Sequence, residues 1–183
     1  MAEISKMIPL LTKAPDFNLL DVVSNKHTSL MALKSDKATV IMFICNHCPY
    51  VKLIQKKLAS LAKVYQSKGI QFIAISANDA TRYPDDAPTH LKAQAIENEF
   101  SFPYLYDEDQ SVAKAYGAVC TPDFFIFDQH LLCVYRGRFD EATPGNQKPV
   151  TGADLSTALD AILNHQPVSS DQKPSMGCSI KWR

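Results

Sequence analysis

The feature that most constrains the fold is a strand–helix–strand pattern in the first half of the chain. Residues 38–44 and 70–76 are continuous apolar runs rich in β-branched residues, which is typical of strands covered on both faces of a sheet. Between them, apolar residues recur at helical spacing from Leu53 to Tyr65, and Gly69 is placed to close that helix at its C′ position. Two strands joined by a helix are parallel, with a right-handed crossover. The pattern therefore predicts an α/β domain.

The rest of the chain completes a layered arrangement. Residues 124–127 and 131–135 are apolar runs joined by three polar residues, which predicts an antiparallel β-hairpin. Residues 78–88 are polar and contain two prolines, so we predict a surface loop there. The other predicted elements are a turn and short strand in residues 14–20, and helices in residues 89–100 (with Thr89 as N-cap), 111–116 and 152–164. This order predicts helices on both faces of a mixed sheet.

Composition limits the size and the partners of this domain. The 183 residues suit one α/β domain, and a hydrophobic fraction of 46% is enough for a full core. Lysine plus arginine and aspartate plus glutamate both number 19, so the charge balance does not favour nucleic acid, an anionic membrane or an acidic substrate. No apolar run approaches the roughly 20 residues that span a bilayer, and residues 1–14 lack the pattern of a signal peptide. We therefore expect a cytoplasmic protein, as a monomer or weak homodimer.

The cysteines point to chemistry rather than to a structural framework. Their number, five, is odd, and structural disulfides are rare in reducing compartments. Cys48 precedes Pro49 at the junction of the first buried strand and its helix, so it lies at or near the N-cap. Unpaired N–H groups and the positive end of the helix dipole stabilise a thiolate there. Cys45, at the end of the strand, lacks the helix terminus and is predicted to be less acidic. His47 either assists Cys48 by charge or proton transfer, or simply faces solvent.

A second group of candidate residues precedes the hairpin. Cys120, Thr121 and Pro122 stand directly before the apolar run of residues 124–127. A proline in this place is either a trans residue that starts a strand or part of a cis bond in a tight turn. Cys133 lies inside the second strand of the hairpin, where an inert core thiol is expected.

Two segments carry a family resemblance. FICNHCPYV (residues 43–51) and CTPDFFIFD (residues 120–128) resemble the two active-site motifs of the thioredoxin superfamily, and APDF (residues 14–17) resembles the start of redoxin domains. The chain is identified as a member of the redoxin or peroxiredoxin-like subgroup, with AhpC/TSA-type and TlpA-type relatives. The resemblance implies a thioredoxin-like three-layer α/β sandwich, a mixed central sheet flanked by helices, and a thiol-dependent redox function without a cofactor. It also implies a cis Thr121–Pro122 bond beside a nucleophilic Cys48.

Several residues depart from the motifs of these families. In a thioredoxin-type alignment Val51 replaces the second motif cysteine, so the C-x-x-C pair of this chain is shifted one helical turn upstream. Relative to typical peroxiredoxins, Cys45 replaces a threonine, Ile41 a proline and Pro122 an arginine. Those groups position a peroxide, so both a peroxide and a disulfide are kept as candidate substrates.

Turnover through Cys48 needs a second thiol whose Cα atom comes within about 7 Å. Cys45 is close in sequence, and the implied fold brings the loop of Cys120 against the active site, so these two rank level. Cys178 ranks third. It lies on a tail, residues 166–183, that is expected to pack back on the domain of residues 1–165.

The predicted mechanism is thiol-based redox chemistry. The Cys48 thiolate attacks a peroxide or a disulfide, and a second cysteine then closes an internal disulfide. A reductant of the thioredoxin or glutathione type reopens that disulfide. Thr121, Pro122 and His47 are expected to line the substrate groove.

Two functions of other classes stay open. Cys45, His47 and Cys48 are soft or borderline ligands in close array, which suits a copper-binding module on the same fold. A structural zinc site would need a fourth ligand that the sequence does not obviously offer. The other alternative is a scaffold without turnover, in which Cys48 keeps an ordinary pKa.

Overall fold

The computed structural model describes residues 2–183. Its strands are β1 (Ala2–Ile4), β2 (Asn18–Asp21), β3 (Lys26–Ser29), β4 (Ala38–Phe43), β5 (Ile70–Ser76), β6 (Tyr104–Tyr106), β7 (Cys120–Thr121), β8 (Asp123–Asp128), β9 (Cys133–Gly137) and β10 (Met176–Ser179). Its α-helices are α1 (Leu30–Leu33), α2 (Pro49–Gln66), α3 (Pro88–Glu97), α4 (Ser111–Ala115) and α5 (Ala153–Leu163). One turn of 3₁₀ helix covers Pro84–Asp86.

Seven strands form the central sheet, in the order β3-β2-β6-β5-β4-β8-β9. The β4–β5 pair is parallel across α2, and β8–β9 is an antiparallel hairpin, so both sequence predictions are confirmed. Because β4 also pairs antiparallel with β8, the sheet is mixed. A second, three-stranded sheet has the order β1-β10-β7.

The alternation of side chains along the central strands builds two cores. Val40 and Met42 of β4 face a cluster that includes buried residues of α2, α3 and α5. Ile41 and Phe43 point to the opposite face, where buried residues of α1 and α4 pack. Because successive side chains in a strand point to opposite faces, one apolar run serves both cores. The thioredoxin-like three-layer sandwich is therefore confirmed.

The prediction of a surface loop at residues 78–88 is confirmed in part. The segment is irregular apart from its 3₁₀ turn and the first residue of α3, and residues 81, 82, 84 and 85 are exposed, but Asn78, Asp79 and Asp86 are buried against the domain. The following helix also starts earlier than predicted, at Pro88 with Ala87 as N-cap, instead of after Thr89. Proline is favoured at the first helical position because its missing N–H has no partner there in any case.

Several short strands were missing from the sequence prediction. The chain forms β3 and β6 at one side of the central sheet, and β1 and β10 in the small sheet. Strand β10 brings the C-terminal tail onto β7, immediately before Pro122. Over residues 2–183, no helix has both the length and the apolar character needed to cross a membrane.

Candidate functional site

The site begins where the chain leaves β4 and enters α2. Cys48 is the N-cap residue and Pro49 the first helical residue, as the Cys-Pro sequence predicted. The Cys48 side chain is fully buried. Hydrogen bonding from the Cys45 thiol is the largest influence that lowers the pKa of Cys48 to about 5, although burial opposes it. The Cys178 thiol and the N–H groups of Val51 and Cys178 lower it further. At neutral pH the sulfur is therefore a thiolate, the nucleophilic form.

Cys45 is the second sulfur of the site and lies just beyond the end of β4. Its Sγ is 3.3 Å from Thr121 Oγ1, and its carbonyl oxygen accepts a hydrogen bond of 3.3 Å from Gln94 Nε2 of α3. Its hydrogen bond to Cys48, followed by burial, raises the pKa of Cys45 well above the ordinary value. Cys45 is thus a neutral thiol that donates to a thiolate, in agreement with the predicted order of acidity.

The segment that leads into β8 contacts both of these cysteines. The Thr121–Pro122 peptide bond is cis, as the family resemblance implied. When it carries a proton, the Cys48 thiol donates to the Thr121 carbonyl oxygen at 3.2 Å. Cys120 is also buried, but its thiol donates to the Pro122 carbonyl oxygen at 4.0 Å. Burial and the nearby Asp123 raise the pKa of Cys120.

Strand β10 supplies a third sulfur. It runs antiparallel to β7, with Cys178 opposite Thr121 and Ser179 opposite Cys120. Both the thiol and the N–H group of Cys178 lower the pKa of Cys48, and burial raises the pKa of the Cys178 thiol to about 12. Cys45 and Cys178 therefore both act on the Cys48 thiolate, whereas Cys120 is not among the groups that lower its pKa within the described residues.

His47 is held by a carboxylate that the sequence analysis did not single out. Its Nδ1 pairs with Asp86 Oδ2. Asp86 also accepts hydrogen bonds from the backbone N–H groups of Asn46 and His47 and from Asn78 Nδ2. The His47 ring stacks on Tyr83 at 5.6 Å between centroids. The hydrogen bond to Asp86 raises the pKa of His47. Burial alone would raise the pKa of Asp86, but the hydrogen bonds from His47 and Asn78 outweigh it, so the pKa of Asp86 is lowered.

Asp86 also brings three ligand-type side chains together. One ligand atom from each of Cys45, His47 and Asp86 lies within 4.8 Å of the other two. Cys48 is not part of this group, so the set differs from the Cys45, His47 and Cys48 set expected for a copper module. The two oxygens of Asp86 already accept hydrogen bonds from His47, Asn46 and Asn78, which accounts for the cluster without an ion.

Three further residues considered in this region have structural partners. Cys133 is buried in β9, and burial raises the pKa of its thiol to about 11, as expected for a core cysteine. Arg136 Nε donates to a backbone carbonyl oxygen of the N-terminal segment, and Arg138 pairs with Asp154. Both arginines are thus engaged away from the cysteines.

Comparisons with known proteins agree with the fold. A family model described as AhpC/TSA family matches residues 10–135. An uncharacterized conserved protein from Geobacillus kaustophilus is 55% identical, with a TM-score of 0.98 over 100% of this chain and 97% of its own. A hypothetical protein from Sinorhizobium meliloti is 46% identical, with a TM-score of 0.95 over 98% of both chains. A peroxidoxin from Mycobacterium tuberculosis shares the fold at 19% identity, with a TM-score of 0.62 over 85% of this chain and 96% of its own. None of the curated proteins matches the chain.

Proposed function

The chain belongs to the AhpC/TSA family, and on that premise we propose that it is a thiol oxidoreductase whose Cys48 thiolate reduces a peroxide or a disulfide. The observation that carries the proposal is the hydrogen-bonded Cys48 sulfur at the start of α2, with a pKa of about 5 and a neutral Cys45 thiol beside it. A nucleophilic thiolate next to a protonated thiol is the arrangement that thiol redox turnover needs.

Each step of this chemistry balances in atoms and electrons. With a peroxide, the thiolate sulfur attacks one oxygen and the O–O bond breaks. Cys48 becomes a sulfenic acid, and the alcohol or water leaves with one added proton. With a disulfide, the thiolate forms a mixed disulfide and one thiolate leaves. A second cysteine then attacks the Cys48 sulfur, which closes an internal disulfide with loss of water or thiolate.

We propose Cys45 as the second cysteine. It makes the strongest of the hydrogen bonds that lower the pKa of Cys48, and the hydroxyl of Thr121 lies 3.3 Å from its sulfur. One dithiol of the thioredoxin type, or two thiols of the glutathione type, would return both cysteines to the thiol form and would itself be oxidised to a disulfide. We propose the cytoplasm as the compartment that supplies it. Disulfide mapping of the oxidised protein is expected to give a Cys45–Cys48 bridge, and a map in which Cys48 bridges only Cys120 would contradict this assignment.

The test of the function compares the protein with Cys48→Ser and with Cys133→Ser as a matched control. Both substitutions replace a buried sulfur by oxygen, but the Cys133 thiol lies in the core of β9. We expect Cys48→Ser to lose peroxide consumption and disulfide reduction, and Cys133→Ser to keep them. Equal activity in all three proteins would reject the proposal. Slow alkylation of Cys48 at neutral pH would favour the scaffold without turnover.

A second candidate function is metal binding, because Cys45, His47 and Asp86 offer three ligand atoms within 4.8 Å of one another. Thiolate and imidazole suit copper and zinc, and a carboxylate suits zinc. Metal analysis of protein purified under reducing conditions separates the two functions. One tightly bound equivalent that is lost in His47→Ala would favour metal binding over redox turnover.

A further inference from the structure

The C-terminal strand lies along the part of the backbone that a peptide substrate would need. In β10, Cys178 stands opposite Thr121, directly before the cis proline, and Ser179 stands opposite Cys120. The pairing continues beyond β10, because the Ile180 N–H donates to the Val119 carbonyl oxygen at 2.8 Å. An extended peptide that binds an exposed strand takes its affinity from this kind of main-chain pairing.

The backbone of β10 approaches Thr121 most closely at a glycine, Gly177. A Cβ atom on Gly177 would lie 2.0 Å from the Thr121 carbonyl oxygen and 2.5 Å from its carbonyl carbon. Both are backbone atoms, so they cannot move aside as a flexible side chain can. Glycine is therefore required at position 177 by the close approach of two backbones rather than by an unusual φ angle.

The strand also presents a sulfur to the nucleophile. Cys178 stands opposite Thr121, whose carbonyl oxygen is 3.2 Å from the Cys48 sulfur, and the Cys178 thiol and N–H group lower the pKa of Cys48. The Cys48 side chain is fully buried. An extended peptide that brings a reacting cysteine to Cys48 needs backbone groups to pair with and a place for its sulfur near the nucleophile. Strand β10 of the C-terminal tail already occupies this position along β7.

The space beside the strand is small. A cavity of about 140 Å³ borders the first turn of α2, the cis proline and β10, and among its lining residues are Tyr50, Pro122, Arg138 and Met176. No cysteine is among the described residues that line it, so a substrate that enters it reaches Cys48 only after neighbouring side chains move.

We infer that β10 occupies the position of a peptide substrate, so that the site in this state takes small peroxides and low-molecular-weight disulfides and excludes polypeptide disulfides. This inference rests on the proposed function, since it narrows the substrates of the Cys48 thiolate. A polypeptide disulfide reaches Cys48 only after β10 leaves β7. A small substrate needs only side chains to move.

Two mixed disulfides with the same leaving group test the inference. One joins thionitrobenzoate to cysteamine, and the other joins it to the single cysteine of an unstructured peptide longer than β10. In each reaction the Cys48 thiolate forms a mixed disulfide and thionitrobenzoate leaves as a coloured thiolate, so the rates compare directly. With the unaltered protein we expect the cysteamine compound to react at least about tenfold faster, the factor that corresponds to an opening cost of about 1.4 kcal/mol.

The matched variants are Gly177→Ala and Gly145→Ala. Each adds one methyl group. A Cβ at Gly177 meets the Thr121 backbone, whereas a Cβ at Gly145 meets no atom within 4 Å, and the φ of +89° there confines the strain of an alanine to its own exposed loop. We expect Gly177→Ala to raise the ratio of the peptide rate to the cysteamine rate at least about fivefold, and Gly145→Ala to leave that ratio unchanged. Equal rates for the two compounds in the unaltered protein, or no change of the ratio in a folded Gly177→Ala variant, would overturn the inference.

Two further measurements separate a failure of the proposed function from a failure of the inference about β10. If Cys48→Ser reacts with the cysteamine compound as fast as the unaltered protein, the proposed function fails rather than the inference about β10. If Gly177→Ala does not fold, hydrogen exchange of the unaltered protein decides. We expect the Ile180 amide, which is paired with Val119, to exchange far more slowly than amides of the exposed residues 145–148, and equal exchange would overturn the inference.

Discussion

Two short segments of this molecule place a cysteine within two residues of a proline, and they give the cysteine opposite acidity. In the first segment Cys48 precedes Pro49 at the start of α2, and in the second Cys120 lies two residues before the cis Pro122. Both sulfurs are fully buried. Yet the pKa of Cys48 is lowered to about 5, while burial raises that of Cys120. Neither burial nor a neighbouring proline activates a thiol.

The difference lies in what faces each sulfur. The Cys48 sulfur lies 3.2 Å from a carbonyl oxygen, that of Thr121, but the thiols of Cys45 and Cys178 and the N–H groups of Val51 and Cys178 lower its pKa. The Cys120 thiol meets the Pro122 carbonyl oxygen, an acceptor, and the carboxyl of Asp123 adds to the rise of its pKa. Donors stabilise a thiolate, whereas acceptors and buried carboxyls keep the proton on the sulfur.

Alkylation rates give the largest predicted contrast between the segments. At pH 7 a thiol with a pKa of about 5 is almost fully ionised, whereas an ordinary thiol of pKa about 8.5 is a few per cent thiolate. We expect iodoacetamide to label Cys48 first, with a rate that falls only below pH about 6, and to leave Cys120 unmodified in the folded protein. Peptide mapping by mass spectrometry measures both sites in one sample.

The matched variants for this contrast are Cys48→Ser and Cys120→Ser. The first is expected to abolish the fast phase of labelling, and the second to leave it unchanged. Comparable labelling of the two cysteines at pH 6 would break the comparison, because it would mean that the donors around Cys48 do not set its acidity.

Asp123 is the buried carboxyl of the second segment. It is fully buried, its Oδ1 accepts from the Phe124 N–H, and burial raises its pKa to about 8. Between the unfolded-state value of about 3.9 and this value the folded protein holds a proton that the unfolded chain has released. Stability therefore falls as the pH rises, by at most about 1.4 kcal/mol per pH unit.

We expect Asp123→Asn to remove the fall in stability with rising pH that Asp123 causes, because an amide does not ionise. Between pH 5 and 7 the variant should gain about 2–3 kcal/mol relative to the unaltered protein. Urea unfolding at several pH values measures the difference. Parallel stability curves for the two proteins would show that Asp123 is ionised in the fold, and burial would then not hold a proton on this carboxyl.

Asp86 is the buried carboxyl that pairs with His47, the residue before Cys48 in the first segment. The hydrogen bond to Asp86 raises the pKa of His47 in the folded protein, and this shift stabilises the fold. The contribution is complete below the pKa of an unfolded histidine, about 6.5, and is lost as the pH rises through the pKa of His47 in the folded protein. The lowered pKa of Asp86 contributes stability above about pH 3.9, which is lost as the pH falls through the folded value. The pair therefore stabilises the fold most between about pH 4 and 6.5.

We expect Asp86→Asn to lower the pKa of His47 and to cost about 2 kcal/mol of unfolding free energy in that pH range, since a charged acceptor of several buried hydrogen bonds is lost. The control is Asp85→Asn, the exposed neighbour, which should cost less than about 0.5 kcal/mol. Nuclear magnetic resonance titration of His47 follows the pKa. An unchanged His47 titration in Asp86→Asn would show that the pair does not set the charge of this segment.

The contrast between Asp85 and Asp86 also shows where sequence reasoning stops. The position of Cys48 follows from neighbouring residues alone, because a buried apolar run, a cysteine and a proline define a strand, an N-cap and a first helical turn. No local pattern separates Asp86 from Asp85. Asp86 is buried only because the fold packs its turn against the segment of His47.

The tail is a second case of this limit. Strand β10 pairs with β7, more than 50 residues earlier, and a four-residue strand with mixed polarity has no periodicity to detect. Its one local sign is Gly177, which a close backbone contact requires, although a single glycine is just as common in turns and at helix ends. Cys178 ranked third from sequence among the partners of Cys48, on a tail expected to pack back, but the strand that places it, β10, depends on pairing with a distant segment and remained outside the prediction.

Thr121 joins the two segments and carries the smallest predicted effect. It lies between Cys120 and Pro122, yet its hydroxyl is 3.3 Å from the Cys45 sulfur of the other segment, and this hydrogen bond lowers the pKa of Cys45. Thr121→Val keeps the shape and removes the hydroxyl, so the pKa of Cys45 should rise further, at a cost of about 1 kcal/mol in stability. We expect closure of the Cys45–Cys48 disulfide to slow by a few-fold, measured by stopped-flow mixing with oxidant, while alkylation of Cys48 keeps its rate. Equal slowing of both reactions would mean that Thr121 acts on the nucleophile itself, and that the second segment contributes to thiolate stabilisation after all.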